Sequence, residues 1–202
     1  PMCIRLRADQ LSLDNIHQYY SKSSSDQEKI KMVCKIIKIP GVVKTIIFCN
    51  KRDDSMKICK SLQAYGVYSL TLTGKMSPKD RTNSFDRFRT GLDYSVLICT
   101  DVCSRGIDIS TINAVINFHI PRGRNYEPDY SSYYHRIGRG GRFGKKSISF
   151  TLISNEEDFK FICSAEKHFK ILIPETKILD NNFETDMDSL TETTNRLFLS
   201  NS

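Results

Sequence analysis

The chain has 202 residues, 39% of them hydrophobic, and a formal charge of +7, enough to bury one core and basic enough to favour a polyanionic partner. No apolar run nears the ~20 residues of a membrane span, and the N-terminal stretch lacks the apolar centre of a signal peptide, so a soluble, unexported protein without membrane insertion is expected. Seven cysteines form no CxxC pair and four histidines no HxxxH or Cys/His set, which points to a reducing compartment and away from structural zinc.

Residues 1–14 show no clear period and read as a lead-in to a first strand at 15–20. Serines at 21–25 break it. Asp26 can then cap a helix running to about residue 38, with Ile30, Val33, Cys34 and Ile37 on one face and Pro40-Gly41 as the stop. A short β-branched run at 44–49 is followed by a helix at 53–64 with Met56, Cys59 and Leu62 inward, and by a strand at 67–72. Ser77-Pro78 opens a helix to 89, closed by Thr90-Gly91, and 94–99 is a strand of the fully buried kind. Further strands are expected at 114–118 and 147–152, with helices at 129–136 and 155–169, the last burying Phe159, Ile162, Cys163 and Phe169. Past Pro174 the chain turns polar, yet Phe183, Met187, Leu190 and Leu197 keep a helical spacing, so 15–174 reads as the domain and 175–202 as an extension with a docked helix.

Strands alternating with helices predict a mainly parallel sheet in a three-layer α/β/α domain, whose ligands collect at the carboxyl ends of the strands. Those ends carry the polar loops. Thr100-Asp101-Val102-Cys103-Ser104-Arg105-Gly106-Ile107-Asp108 follows one buried strand, and Asp108 could accept a ribose hydroxyl while Thr100 donates to phosphate. Equally, Asp108 could cap a turn and Arg105 pair with a nearby acid. Thr73-Gly74-Lys75-Met76-Ser77 precedes a helix N-terminus, either an anion site or an ordinary βα turn.

The densest stretch is His135-Arg136-Ile137-Gly138-Arg139-Gly140-Gly141-Arg142-Phe143-Gly144, with three arginines and four glycines in ten residues. Arg139 and Arg142, three apart, suit two guanidinium forks gripping one phosphoryl group. A Walker A loop is excluded because Arg139 stands five before Gly144 and Lys146 stands where Ser or Thr belongs, and a GxGxxG loop because Phe143 replaces its third glycine. The apolar run 147–152 directly afterwards argues against a disordered RGG tail. What remains is an ordered arginine pair that meets a phosphate from the side opposite a P-loop.

Residues 135–142 resemble the HRIGRxGR motif of DEAD-box RNA helicases, and 100–108 resemble their TDVxxRGID motif. Residues 46–50 are similar to the IIFCN strand, 74–81 to a loop and helix that touch RNA, and 117–121 to the NYDxP segment. The five motifs keep one order across about 15–170 and all belong to the second, RecA-like domain of that family. Thirteen residues separate Pro121 from His135, a lengthened loop that resembles the mRNA-export member.

The resemblance implies ATP with Mg as cofactor, the metal held mainly by an N-terminal RecA-like domain that would be the principal partner. Arg139 and Arg142 would act as arginine fingers, His135 would relay nucleotide state, and Asp108 and Gly106 would join the arginines at the nucleotide. Asn50, Lys51, Arg52, Gly74, Arg81, Thr100 and Arg105 would follow an RNA backbone without reading sequence. A monomer working in cytoplasm and nucleus, with mRNA-export and nuclear-pore factors at the nuclear envelope, is the corresponding setting. Gly140, Pro78, Lys75, His119 and Asp53 depart from the family pattern; Gly140, where Thr or Ser is common, implies a looser arginine loop lacking a hydroxyl. The alternatives are an RNA-binding adaptor that kept the fold without the motor, and a related helicase domain acting on DNA.

Overall fold

A computed structural model describes residues 15–91, 94–101, 111–123, 125–141 and 145–178. Six parallel strands form one sheet in the order β1-β6-β5-β2-β4-β3: β1 Ile16–Lys22, β2 Lys44–Phe48, β3 Ser69–Leu72, β4 Val96–Cys99, β5 Ile112–Asn117 and β6 Ser147–Ile153. The helices are α1 Asp26–Ile36, α2 Arg52–Ala64, α3 Pro78–Thr90, α4 Tyr130–Ile137 and α5 Glu156–Phe169.

Every residue of β2, β4 and β6 is buried, because the sheet is covered on both faces and successive side chains enter different cores. Ile47, Ile98, Ile116 and Phe150 pack with Ile30, Val33, Ile58 and Leu62 of α1 and α2. Their neighbours Ile46, Phe48, Leu97 and Val115 pack with Phe88 of α3. A third cluster joins Tyr133 and Ile137 of α4 to Phe161, Ile162 and Ala165 of α5. The α/β architecture with a parallel sheet covered on both faces, read from the alternation, is the one observed.

Local chemistry sets the helix starts. Ser25, one residue before the expected Asp26, caps α1 by accepting from Glu28 N, while Glu28 Oε2 accepts from Ser24 N at 2.6 Å, a reciprocal arrangement akin to a capping box. Ser77 with Pro78 starts α3 and Asn155 starts α5. Two expected faces are rotated. In α2 the buried residues are Ser55, Ile58 and Leu62, and Met56 is 46% exposed; Ser55 can be buried because its hydroxyl donates to Arg52 O at 2.6 Å. In α5, Phe161, Ile162 and Ala165 face inward instead of Cys163, leaving Phe159 and Phe169 half-buried on the flank against Tyr20 and Tyr130.

Residues 174–178 run beside β1. Tyr20 N donates to Pro174 O at 3.0 Å, Thr176 N donates to Tyr20 O at 2.8 Å, and Ile178 joins the main core. The lead-in at 1–14 and the helix expected over 183–197 lie outside the described residues.

Candidate nucleotide and nucleic-acid site

Because the strands are parallel, the loops after β5, β2, β4 and β3 stand in a row along one end of the sheet. They carry His119, then Asn50 to Arg52, then Thr100 and Asp101, then Gly74 and Lys75. Lys51, Arg52 and Gly74 are exposed, and Thr100 and Arg81 are half-buried. Thus six of the seven residues expected along an RNA track are described and lie at or next to this row. Arg105, Gly106, Asp108 and Arg142 lie outside the described residues.

Helix α4 brings the arginine stretch to the same end. Asp129 caps it by accepting from Ser132 N at 2.8 Å. Tyr133, Tyr134, Arg136 and Ile137 are buried, while His135 is exposed and Arg139 half-buried. One turn apart on the outer face, these two are tied by Arg139 Nε donating to His135 O at 3.2 Å.

The organising residue is Arg136, which has no role among those the sequence implies. It is 1% exposed. Its Nε and Nη2 donate to Asp101 Oδ1 and Oδ2 at 2.5 and 2.7 Å, a bidentate pair. Nη1 donates to His119 O at 2.6 Å and, at 3.5 Å, to Asn117 Oδ1, and Nη2 reaches Asn50 Oδ1 at 3.0 Å. The guanidinium lies over the Phe48 ring, 5.3 Å from its centroid. One side chain therefore locks the loops after β2, β4 and β5 to the helix carrying His135 and Arg139. Two signals could have found it: an arginine on the apolar face of α4 beside Tyr133 and Ile137, and an aspartate just past the buried strand β4.

Asn50 is spent largely on this framework, since its Nδ2 also donates to Ile120 O at 2.8 Å. His119 takes part through backbone and ring. Its Nδ1 accepts weakly from Asn50 N at 3.5 Å and lies 3.7 Å from Asp54 Oδ2. Burial pushes its pKa down, with Lys29 adding to the shift, Asp54 and Asp26 opposing it, and Arg136 lowering it further. Lys29 itself is buried, donates to Phe118 O at 2.9 Å, and is lowered by desolvation.

The lengthened loop before α4 is closed on itself. Arg122 and Pro128 form an antiparallel bridge, Gly123 N donates to Glu127 O at 2.9 Å, and Arg122 Nη2 meets Asp158 Oδ1 at 3.1 Å. Among the described residues no cluster of three or more His, Cys, Asp or Glu could hold a metal ion, and no helix is long and apolar enough to cross a membrane.

The model of the helicase conserved C-terminal domain matches residues 28–144. The chain is 36% identical over 190 residues to ATP-dependent RNA helicase DDX25 of Rattus norvegicus, covering 94% of this chain and 38% of the relative. It is 34% identical over 169 residues to DDX19A of Homo sapiens, covering 84% and 35%. Among solved structures, S. cerevisiae Dbp5 bound to RNA and ADP BeF3 has a TM-score of 0.83 at 26% identity, over 94% of this chain and 48% of that one. The C-terminal domain of the DEAD-box protein Dbp5 has a TM-score of 0.76 at 27% identity, over 92% and 99%.

Fold, loop row and sequence together define a RecA-like helicase domain, and the chain belongs to the helicase conserved C-terminal domain family. Its relatives there are the DEAD-box RNA helicases of the DDX25, DDX19 and Dbp5 group. The chain spans about two fifths of the length of the curated relatives it matches.

Proposed function

We propose that this chain is the C-terminal half of an ATP-dependent RNA helicase, closing on an N-terminal RecA-like domain to complete one ATP site and one RNA track. The observation that carries the reading is the Arg136 hub, which fixes the His135–Arg139 face of α4 against three of the loops expected to meet RNA and nucleotide. Such a lock lets RNA on the loops and phosphate on the arginines favour the same arrangement.

In this reading Arg139 and Arg142 donate to the γ-phosphoryl oxygens as charge spreads over them, worth most in a water-poor cleft. His135, one turn before Arg139, faces the domain interface, and Asp108 and Gly106 border the ribose. Lys51, Arg52, Gly74, Arg81, Thr100 and Arg105 contact the sugar-phosphate backbone, with Asn50 holding their loop in place because its amide is engaged. Binding is then sequence-tolerant and salt-sensitive. Mg supplies neutralisation of phosphate charge when bound, through ligands on the partner domain. Support for ATP and RNA comes from the Dbp5 structure holding RNA and ADP BeF3.

The test is RNA-stimulated ATP turnover of the full-length protein, compared with Arg139→Ala. A fall of roughly 10³-fold in kcat is expected if Arg139 is a finger. Turnover within about threefold of the parent would remove that role. We extend the proposal to mRNA export at the nuclear pore, supported by a variant of S. cerevisiae Dbp5 solved bound to a variant of Gle1 and IP6. Failure of the full-length protein to bind Gle1 in the presence of IP6 would delete this extension and leave the helicase reading standing.

A further inference from the structure

The glycine between the two candidate fingers does not leave a gap. A Cβ built on Gly140 would stand 2.7 Å from Ser147 Oγ and 2.8 Å from Ser147 Cβ, with Val115 Cγ2 at 3.4 Å. On Gly141 a Cβ would stand 3.2 Å from the same hydroxyl, 3.1 Å from Ile16 Cγ1 and 3.3 Å from Lys145 O. Ser147, the first residue of β6, thus lies directly beneath the arginine loop and fills the space that a side chain at position 140 needs. The implied loosening at Gly140 is not what the packing describes, since Gly140 is buried and its N–H donates to Ile137 O at 3.1 Å.

The hydroxyl of Ser147 is also unspent. Ser147 is 0% exposed, and its Oγ has no hydrogen-bond partner among the described residues. A buried hydroxyl without a partner is destabilising, and its retention calls for an explanation, of which use in another state of the protein is one. Among the described residues the other buried side-chain oxygen short of a partner is that of Ser149, two residues on and therefore on the same face of β6. In register, however, Ser147 lies opposite Ile16 at the loop, whereas Ser149 lies opposite Gln18 and Val115, one step further along the strand.

We propose that Ser147 is a positioning residue for Arg139: its hydroxyl, idle in the open domain, bonds the backbone of the Gly140-Gly141 turn when the arginine loop engages phosphate. The hydroxyl that many family members carry on the loop is here carried by the strand below it. Gly140 and Ser147 are then one exchange, and neither is free to change alone. This rests on the helicase reading above.

The experiment uses the full-length protein and reads kcat, KM for ATP and the thermal midpoint. Ser147→Ala removes an unpaired group, so the midpoint holds or rises, while kcat falls about three- to tenfold with KM changed by less than about twofold, the loss of one hydrogen bond made in the closed state. Ser149→Ala is the control: it relieves the same kind of orphan away from the loop, with kcat unchanged. Gly140→Ser alone meets Ser147 and lowers turnover by more than about tenfold, through overpacking of the loop. The exchange Gly140→Ser with Ser147→Gly returns turnover to within about threefold of the parent, since the hydroxyl is kept on the other side of the contact.

Full turnover in Ser147→Ala overturns the proposal, as does a drop in its thermal midpoint, which would mean that the hydroxyl is already bonded in the open domain. A double variant no better than Gly140→Ser, or a Gly140→Ser protein as active as the parent, also overturns it. An inactive Arg139→Ala protein beside a fully active Ser147→Ala protein removes this inference alone. Full activity in Arg139→Ala removes the finger role itself.

Discussion

Replacing Arg136 with methionine keeps much of the volume and removes the fork, and the structure sets the scale of the loss. Arg136 is 1% exposed, so the acceptors it would leave without a donor include the buried Asn117 Oδ1 and the part-buried His119 O, whereas Asn50 is exposed and water can reach its Oδ1. Each uncompensated acceptor costs about 1–3 kcal/mol. The Asp101 side chain is 37% exposed, so water can reclaim its carboxylate and the full cost of an orphaned buried charge does not apply there. The expected loss is about 3–5 kcal/mol, which for a domain of this size lowers Tm by roughly 10 °C or more. Asp101→Asn keeps the shape and removes the charge at the exposed partner, so it costs less, about 1–2 kcal/mol. The double variant loses less than the two singles together, because they share one interaction. Urea unfolding of the four proteins followed by circular dichroism measures all three values. An Arg136→Met protein within about 1 kcal/mol of the parent, or an Asp101→Asn protein less stable than Arg136→Met, would refute the hub.

Two smaller perturbations follow from the same structure. His119 is held below its ordinary 6.5, first by burial, with Lys29 adding and Asp54 opposing; the unfolded chain therefore takes the proton first, and stability falls as pH drops below 6.5 toward the folded value. His119→Gln should flatten the stability profile measured between about pH 7.5 and about pH 5.5, leaving a residual slope from His17, which burial and Lys146 also lower; an unchanged profile would show that His119 does not carry it. At the end of α5, exposed Lys170 sits at φ 55, a left-handed cap that suits glycine, so Lys170→Gly should stabilise by about 1 kcal/mol in the same urea assay. A destabilised variant would contradict that backbone conformation.

The alternation of β-branched runs with capped amphipathic helices carried the fold, because a parallel sheet covered on both faces leaves so direct a pattern. The row of polar loops followed from the same logic, since topology alone puts Asn50, Gly74, Thr100 and His119 at one end. What sequence could not show was how residues far apart in the chain share a charge. Arg136 and Asp101 are 35 residues apart and Arg136 and Asn50 are 86 apart, so no local period connects them. The rotated faces of α2 and α5 have a related cause: Met56 and Cys163 are apolar enough to be inward, but a self-satisfied Ser55 and a small Ala165 pack closer to the sheet. In the sequence Gly140 looks like a missing side chain because its counterpart, Ser147, comes from the next strand.

The pairing of β1 has a consequence for how the chain folds. Its inner neighbour is β6, with Ser23 and Ile153 130 residues apart, and its outer cover reaches it from Glu175, which receives bonds from Tyr20 and Lys22 across as many as 155 residues. As the polypeptide leaves the ribosome, the first strand of this sheet to emerge is thus the last of the sheet to find a neighbour. Contacts of such sequence separation raise contact order and slow the search, and an unsheathed β-strand is prone to pair with the wrong chain while it waits. The segment at 174–178 therefore acts as a closing stitch, sealing β1 only once the rest of the sheet has been synthesised.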